Sequence, residues 1–529
     1  MDRSFGAARR IRPSDRSLGP EMQRGQWIGD EHMLTVNVRI AVLGCLLVVA
    51  GMVRTGWSQT PPSNEVSGLA AAAAIESAMV QAIARAERSV VAIARVRNNV
   101  GTSVLGLEPR PDPFGGAARL PTPAQPTDPD FQAGDYLAGV VIDPRGLILT
   151  TYRGLGENYD YYVTTHDRRV YRAWIKGADP RSDLAVLQID ASNLAPIRFG
   201  NASTLRKGQI VIALGNPFAI ARDGQACASW GIIANLGRKA PPLPSTEEPT
   251  GKPTLHHFGT LIQTDAKLSM GTDGGALINL KGEMVGLMTS LPAVAGFESA
   301  AGYAYPVDET FLRAVDRLKR GEEVEYGFLG VQPEDLSLDE LVRGMHGIRV
   351  DRVVPGAPGD RAGLRPRDVI LRVDGEPIYD KDGLVLAVGR LPVDKRVDLD
   401  VQREDRVVKV SARLTKYPVR GKAIVTVPPR RWRGIQVEYT TAMLDSEEIG
   451  LWGLPLDRDA VFVVDVERDS PAWKAGLRRG MLIESVDGRP VRTPKEFFAL
   501  VRGKKGEVVL GLVDDGSRDF QPTRRVPAP

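Results

Sequence analysis

Apolar and polar residues alternate in short runs through the middle of the chain, from about Ser89 to residue 320. A period of two is typical of strands that bury one face, and no helix-length segments separate the runs. The pattern therefore predicts an antiparallel, all-β block of about 230 residues. The predicted strands lie at residues 90–94, 137–142, around 163, 173–175, 185–189, 211–214 and 284–288.

Two proline-rich segments interrupt this block, at residues 108–130 and 241–253. Proline has no amide hydrogen and cannot donate to a sheet. Both segments are therefore predicted to be loops, and the first is expected to be a mobile excursion from the domain.

The chain upstream of the block has a different pattern. Residues 70–86 are rich in alanine and predict a helix that leads into the domain rather than forming its core. The apolar run from Ile40 to Val53 covers 14 residues, follows Arg39 and precedes small residues at 56 and 58. It predicts a cleavable secretory signal that begins at Met33. A tilted, uncleaved membrane anchor and a buried N-terminal helix remain alternatives.

The C-terminal third contains a repeat. Residues 353–377 recur at residues 466–490, with the same Ala-Gly-Leu and Val-Asp-Gly triplets displaced by 113 positions. A period of this length predicts two tandem domains rather than a solenoid. The proline-containing segment from Lys422 to Arg431 is the predicted linker between them.

Composition narrows the functional classes. With 43% hydrophobic and 25% charged residues, the 529-residue chain has ordinary globular composition. The formal net charge is +4, of which residues 1–58 supply +3, so no basic surface for nucleic acid is expected. Two cysteines cannot build a disulfide framework, and five histidines exclude a histidine-rich metal site. We predict neither a metal nor a cofactor.

Six motifs occur in order along the β block: GLILT at 146–150, DPRSDLAV at 179–186, ALGNPF at 213–218, TDA at 264–266, GTDGGAL at 271–277 and GYAYPV at 302–307. Together with the repeats that follow, they resemble HtrA/DegP-type serine proteases in the same order along residues 75–520. The resemblance implies a mostly β fold: a chymotrypsin-like double β-barrel followed by two PDZ domains, which are small α+β modules. The implied boundaries are 1–58 for the extension with signal or anchor, 59–85 for the lead-in, 86–320 for the protease fold, and 325–417 and 431–520 for the PDZ domains.

The catalytic positions of this family are only partly matched. The family's histidine follows the Ile-Leu-Thr segment, and Arg153 occupies that position here. The family's nucleophilic serine lies between Gly-Asn and Gly-Gly. In this chain Asp273 occupies that position, within GTDGGAL at 271–277. Asp183 matches the orienting carboxylate, and Gly271 with Asp273 would supply the amides of the oxyanion hole. The resemblance thus implies a degenerate triad of Arg153, Asp183 and Asp273.

The two changes remove the chemistry. Arginine stays protonated and cannot accept the proton of a nucleophile. An ionised aspartate attacks an amide poorly and repels the oxyanion that must form beside it. We therefore expect Arg153 to bridge Asp183 and Asp273 as a structural ion cluster. Because the cluster would keep one net negative charge, partial access to solvent is expected.

The resemblance also implies peptide-binding loops. In the first PDZ domain the loop is Phe328, Leu329, Gly330 and Val331, which would hold a peptide's terminal carboxylate while the peptide adds a strand. In the second domain the loop is read as residues 434–437, where Gln436 replaces the glycine. The first domain is therefore the predicted peptide binder, and the second is assigned to assembly or an internal contact.

These features predict an extracytoplasmic pseudoprotease that binds unfolded proteins or peptide C-termini as a chaperone, adaptor or regulator. Two alternatives stay open: a peptidase with residual or unconventional activity in protein quality control, and a structural subunit in a mixed oligomer with active paralogues. The resemblance implies a trimer-based oligomer in either a homo- or a mixed assembly.

Overall fold

A computed structural model describes residues 63–97, 135–156, 159–216, 224–238, 260–267, 271–289, 302–418, 424–445, 459–514 and 520–528. The predicted signal at residues 40–53 lies outside the described residues, as do the proline-rich segments at 108–130 and 241–253. Residues 71–529 form one unit, and the structure describes only residues 63–70 of the unit before it.

Strands dominate the described residues, as the alternating pattern predicts. In chain order they are β1 (Val90–Arg97), β2 (Asp135–Asp143), β3 (Leu147–Thr151), β4 (Tyr159–Thr164), β5 (Val170–Asp179), β6 (Leu184–Ile189), β7 (Arg198–Phe199), β8 (Ile210–Gly215), β9 (Cys227–Arg238), β10 (Leu261–Thr264), β11 (Ala276–Ile278), β12 (Glu283–Thr289), β13 (Gly302–Pro306), β14 (Gly327–Phe328), β15 (Val331–Asp335), β16 (Ile348–Val353), β17 (Val369–Val373), β18 (Glu376–Pro377), β19 (Arg396–Arg403), β20 (Arg406–Arg413), β21 (Thr415–Lys416), β22 (Ile424–Val425), β23 (Ile435–Tyr439), β24 (Val461–Val466), β25 (Leu482–Val486), β26 (Arg489–Pro490), β27 (Val508–Leu512) and β28 (Thr523–Val526).

Helices are fewer. They are α1 (Ser63–Ala86), α2 (Glu309–Lys319), α3 (Leu338–Val342), α4 (Pro358–Arg361), α5 (Lys381–Gly389), α6 (Pro471–Lys474) and α7 (Pro494–Val501).

Twelve of the first thirteen strands build two closed barrels of six, and β7 pairs with β12 outside the second ring. In the first, β5, β4, β1, β2, β3 and β6 pair in that order, and β5 pairs with β6 to close the ring. In the second, β11, β8, β9, β10, β13 and β12 pair in order, and β11 pairs with β12. Inward apolar side chains fill each barrel, and a third cluster lies between them, including Leu149, Leu214 and Leu287. The predicted double barrel is confirmed.

Helix α1 matches the predicted lead-in helix but differs from the prediction in one respect. Its last turns are part of the core, because Ala82 and Ala86 are fully buried in the cluster between the barrels. Alanine's small side chain lets the helix approach the second barrel closely. Among the described residues, Gly68–Ser89 is the segment long and apolar enough to cross a membrane by length and composition.

Helix α2 follows the second barrel and begins at Asp308, whose carboxylate accepts the amide of Phe311 at 2.8 Å. Phe311, Ala314 and Leu318 lie on one face and pack into the cluster between the barrels. The helix therefore joins the barrels to the chain that continues into the PDZ domains.

Two similar small domains complete the chain. Their sheets have the orders β15-β16-β17-β19-β20 and β23-β24-β25-β27-β28, so β15 and β23 are outermost strands. Each sheet has its own apolar cluster, and α5 and α7 pack on equivalent faces. The predicted tandem PDZ architecture is confirmed.

The predicted linker contains a strand of its own. Ile424 and Val425 form β22, which pairs with Ala178 and Gly177 at the end of β5. The segment between the PDZ domains thus extends the sheet of the first barrel.

Candidate functional site

The three predicted catalytic positions come from the facing ends of both barrels. Strand β3 ends at Thr151 and β6 begins at Leu184, and these two residues are paired in the antiparallel register. Arg153, which follows β3, therefore lies beside Asp183, which precedes β6. Its backbone amide donates to Asp183 Oδ1 at 2.7 Å. Asp273 lies in the turn before β11 of the second barrel.

Asp183 is fully buried and is held in a left-handed backbone conformation with φ of 55°. Besides the amide of Arg153, its carboxylate accepts the hydroxyl of Tyr305, with 2.8 Å between Oη and Oδ2. Burial raises the pKa of Asp183 to about 7; the positive charge of Arg153 opposes this rise and the negative charge of Asp273 adds to it. These charge effects show that the three side chains are electrostatically coupled.

Asp273 is 8% exposed, and its carboxylate accepts the hydroxyl of Thr151 at 3.0 Å. The backbone around it is fixed by the first barrel, because the amide of Ala138 donates to the carbonyl of Asp273 at 2.8 Å. The position predicted for the nucleophile thus holds a carboxylate that is bonded to the opposite barrel.

The turn that carries Asp273 keeps a demanding backbone shape. Gly271 and Gly274 have φ of 87° and 81°, which disfavour other residues. A side chain at Gly274 would come within 2.3 Å of the Ala138 carbonyl and the Thr150 hydroxyl. The oxyanion hole of Gly271 and Asp273 stays a prediction.

Solvent access to the cluster differs from the expectation. Arg153 is half-buried, whereas both carboxylates are buried. The raised pKa of Asp183 supplies a physical reason, since a protonated Asp183 leaves Arg153 and Asp273 as a neutral pair. The forked hydrogen bonds expected from Arg153 to both carboxylates stay a prediction.

Thr151 and Tyr305 were missed as members of the site. Tyr305 lies in one of the sequence motifs, but that motif gives no sign that its hydroxyl reaches across to Asp183. Thr151 follows the Ile-Leu-Thr segment directly, and a threonine in a strand is ordinarily interpreted as a packing residue.

The loop that bears Asp183 also holds the first PDZ domain. The guanidinium of Arg181, which is 5% exposed, lies 5.5 Å from the ring centre of Tyr326 and 4.9 Å from that of Tyr417. It also donates to the carbonyl of Pro418 at 3.1 Å. Asp179, at the start of the same loop, accepts the hydroxyl of Tyr326. Both ends of the first PDZ domain are therefore fastened to this loop.

The predicted peptide-binding loop of the first PDZ domain lies at the start of its outermost strand. Phe328 ends β14, Leu329 and Gly330 form the turn, and Val331 begins β15. Gly330 has φ of 78°, and a side chain there would meet Ala357. The placement fits a carboxylate-binding loop beside α5.

The assignment of the second loop was wrong by register. Ile435 pairs with Val466 as Val331 pairs with Val353, so Gly434 is the equivalent of Gly330. The carbonyls of both glycines accept equivalent amides, from Val354 and Glu467, at 2.8 Å. Gln436 therefore does not replace the loop glycine, because that glycine is present two residues earlier, as Gly434.

The second loop differs from the first in its hydrogen bonds. Trp432 donates its amide to the carbonyl of Ile435 at 2.9 Å, and the amide of Ile435 donates to the carbonyl of Trp432 at 3.0 Å. Arg433 and Gly434 between them both have positive φ, 49° and 94°. This is a closed two-residue turn, and it uses the amide that would face a peptide carboxylate.

Comparisons with known proteins agree with the double barrel and with the two PDZ domains. A trypsin-like peptidase domain model matches residues 138–287, and PDZ domain models match residues 327–414 and 462–513. A probable periplasmic serine endoprotease DegP-like from Chlamydia muridarum is 32% identical over 384 residues, which cover 72% of each chain. The periplasmic serine endoprotease DegP of Salmonella typhimurium is 28% identical over 71% of this chain and 73% of its own.

Proposed function

Because this chain belongs to the HtrA/DegP family of trypsin-like proteases with PDZ domains, we propose that it is an extracytoplasmic pseudoprotease. It binds unfolded proteins or peptide C-termini, as a chaperone, adaptor or regulator, without cleaving them efficiently. The names of its relatives, periplasmic endoproteases, support the compartment.

The observation that carries this proposal is the hydrogen bonding of Asp273. At the nucleophile position stands a carboxylate that accepts the hydroxyl of Thr151 and has no proton to give up when ionised. Such a group neither attacks an amide effectively nor tolerates a developing oxyanion next to it.

The base position supports the same conclusion. Arg153 keeps the backbone hydrogen bond to Asp183 but brings a side chain that cannot accept a proton. Loss of triad members typically lowers the rate by about 10⁴- to 10⁶-fold, which corresponds to about 5–8 kcal/mol of barrier. Substrate binding does not depend on these two side chains and can outlast their chemistry.

Residual proteolysis is the second candidate, favoured by the relatives, which are named endoproteases. It requires catalysis by a route other than a serine nucleophile with a histidine base. A role as a structural subunit beside active paralogues is the third, and co-purification of an active protease with this chain would favour it.

The test is cleavage of an unfolded protein substrate by the purified chain and by the double variant Arg153→His/Asp273→Ser. We expect no cleavage above background from the native chain and clear cleavage from the double variant, since the surrounding hydrogen bonds are in place. Native cleavage that Asp273→Ala abolishes would overturn the pseudoprotease assignment. Native cleavage that persists in Asp273→Ala would point to a different site or a contaminant.

A further inference from the structure

A cavity of about 280 Å³ lies between the two PDZ domains. The first domain lines it with residues of β19, β20 and β21 and of the turn and short helix at 356–362. The second domain lines it with residues 439–441, 459–460 and 492–493. This volume is close to the lower limit of about 300 Å³ for small-molecule sites. The cavity therefore suits a small ligand that contacts both domains.

The ionisable side chains that line this cavity carry more positive than negative charge. They are four arginines and two aspartates: Arg361, Arg396, Arg413 and Asp394 from the first domain, and Arg492 and Asp459 from the second. Glu496, outside the lining, lies 4.0 Å from Arg413. One positive charge remains in excess even when Glu496 is counted, so the cavity attracts anions.

The arrangement of Arg396 and Arg413 is unfavourable without an anion. The two residues pair directly across β19 and β20, so both side chains start on the same face of the sheet, where like charges are destabilising. Among the described residues, no carboxylate forms an ion pair with Arg396. Arg413 has Asp394 and Glu496 nearby, but at 3.5 and 4.0 Å both pairs are longer than ordinary hydrogen bonds. Both guanidinium groups therefore keep donors for a ligand.

The other charged pairs of the same hairpin are neutralised within the protein. Asp400 pairs with Lys409, which has the opposite charge. Arg403 pairs with Arg406, but the Arg403 guanidinium also holds the buried carboxylate of Asp368 in a fork, at 2.9 and 2.7 Å. The pair in the cavity lacks such a carboxylate, which indicates that its counter-charge comes from outside the chain.

Asp459 illustrates how arginines of both domains can share one oxyanion. Arg361 of the first domain places Nη1 3.2 Å from its Oδ1, and Arg492 of the second places Nε 2.9 Å from its Oδ2. A phosphate group has more such oxygens and matches the planar fork of a guanidinium. Ser411, two residues before Arg413 and on the same face of β20, adds a hydroxyl to the cavity wall.

We propose that this cavity is a binding site for a phosphate-containing anion, which Arg396 and Arg413 hold together opposite Arg492 of the second domain. The bound anion neutralises the like-charged pair and adds a bridge between the two PDZ domains. The inference goes beyond the proposed function and does not depend on it, since the site uses none of the residues between the barrels.

The experiment is isothermal titration calorimetry on the full chain in about 0.15 M NaCl, where long-range attraction between exposed charges is screened. Inorganic pyrophosphate probes a free anion, and glycerol 3-phosphate probes a phosphate group carried by a larger molecule. We expect saturable binding of at least one of them, and the tighter of the two identifies the source of the phosphate.

Arg396→Gln and Arg413→Gln should each weaken this binding about tenfold or more, the effect of one hydrogen bond between charged groups. Arg406→Gln is the matched control, because it changes an arginine of the same hairpin whose cross-strand partner is neutralised by Asp368. It should bind the anion as the native chain does.

Thermal unfolding gives a second readout, which a merely structural role would not move. Without phosphate, Arg396→Gln removes a repulsion and should raise the melting temperature of the PDZ domains. With saturating pyrophosphate the order should reverse, because the native chain binds the anion more tightly and gains more stability from it.

Binding that does not saturate and is equal in all variants would show general attraction to a basic surface, and would overturn the inference. Saturable binding that is unchanged in Arg396→Gln and Arg413→Gln would place the anion elsewhere and would also overturn it. A melting temperature of Arg396→Gln below that of the native chain in the absence of phosphate would contradict the repulsion on which the inference depends.

Discussion

The site between the barrels and the turn before β23 are distinguished at different levels of structure, by side chains in the first and by a backbone hydrogen bond in the second. Between the barrels, the positions predicted for the base and the nucleophile hold Arg153 and Asp273, while the amide of Arg153 donates to Asp183 and the amide of Ala138 donates to the carbonyl of Asp273. In the turn before β23, Gly434 is retained, yet the amide of Ile435 is bonded to Trp432. The proposed loss of proteolysis therefore rests on side chains, whereas the difference between the two PDZ turns rests on a backbone hydrogen bond.

The largest expected effect is on the free energy of unfolding when Arg153 is removed. It tests whether this side chain has a structural role. Arg153→Ala leaves two coupled, buried carboxylates without their cation, and we expect it to lower the free energy of unfolding by about 3–5 kcal/mol at pH 8. Urea denaturation measures this. Arg169→Ala, which removes an exposed ion pair with Asp167, should cost less than about 1 kcal/mol. Unchanged stability in Arg153→Ala would mean that no ion cluster exists.

The second prediction concerns pH. The pKa of Asp183 is raised to about 7 from 3.8, so between these values the folded state holds a proton that the unfolded state has released. Its stabilising contribution is complete below pH 3.8 and is lost as the pH rises through 7, at about 1.4 kcal/mol per pH unit. The difference in unfolding free energy between the native chain and Asp183→Asn should follow this slope from pH 4 to 7. A difference independent of pH would show that Asp183 is ionised throughout.

The third prediction tests the contacts by which Arg181 attaches the first PDZ domain to the barrels. Arg181→Ala removes the stacking on Tyr326 and Tyr417 and the hydrogen bond to Pro418, which should cost about 2–3 kcal/mol. Scanning calorimetry should show the first PDZ domain unfolding at a lower temperature than the barrels. Arg172→Ala, which breaks an exposed pair with Asp160, is the control. A single transition at the native temperature would show that the fastening contributes nothing.

The smallest expected effect concerns backbone hydrogen bonding at the edge of the first PDZ domain. Pro333→Val restores an amide to the edge of β15, and should raise the affinity of the first PDZ domain for a peptide with a free carboxylate about three- to tenfold. Fluorescence anisotropy measures the affinity, and the amidated peptide serves as the control. Equal affinity of the native chain and Pro333→Val would mean that the peptide binds away from this edge.

These contrasts also explain what the sequence could predict. Short alternating and apolar runs located the strands, because every barrel strand buries its inward face and some, such as β3, bury both faces. The 113-residue displacement located both PDZ domains. Arg153 and Asp273 were singled out through the resemblance; the structure shows their contacts with Asp183 and Thr151, and their catalytic positions stay a prediction.

The loop assignment of the second PDZ domain was wrong because the register of β23 depends on its pairing with β24. The repeated Ala-Gly-Leu and Val-Asp-Gly triplets do not fix that register. The closed turn at Trp432 was also out of reach, since hydrogen bonds between main-chain atoms leave little trace in residue types. Tyr305 and Thr151 reach the site across the barrel interface, and no local pattern records such contacts.

The fastening of Arg181 between Tyr326 and Tyr417 has a mechanical consequence. A tension applied to a chain end held at β15 passes to the barrels through both ends of the first PDZ domain, and both converge on the loop from Asp179 to Asp183. The domain therefore cannot rotate about a single hinge. It is anchored at two points, and the load falls on the loop that carries Asp183.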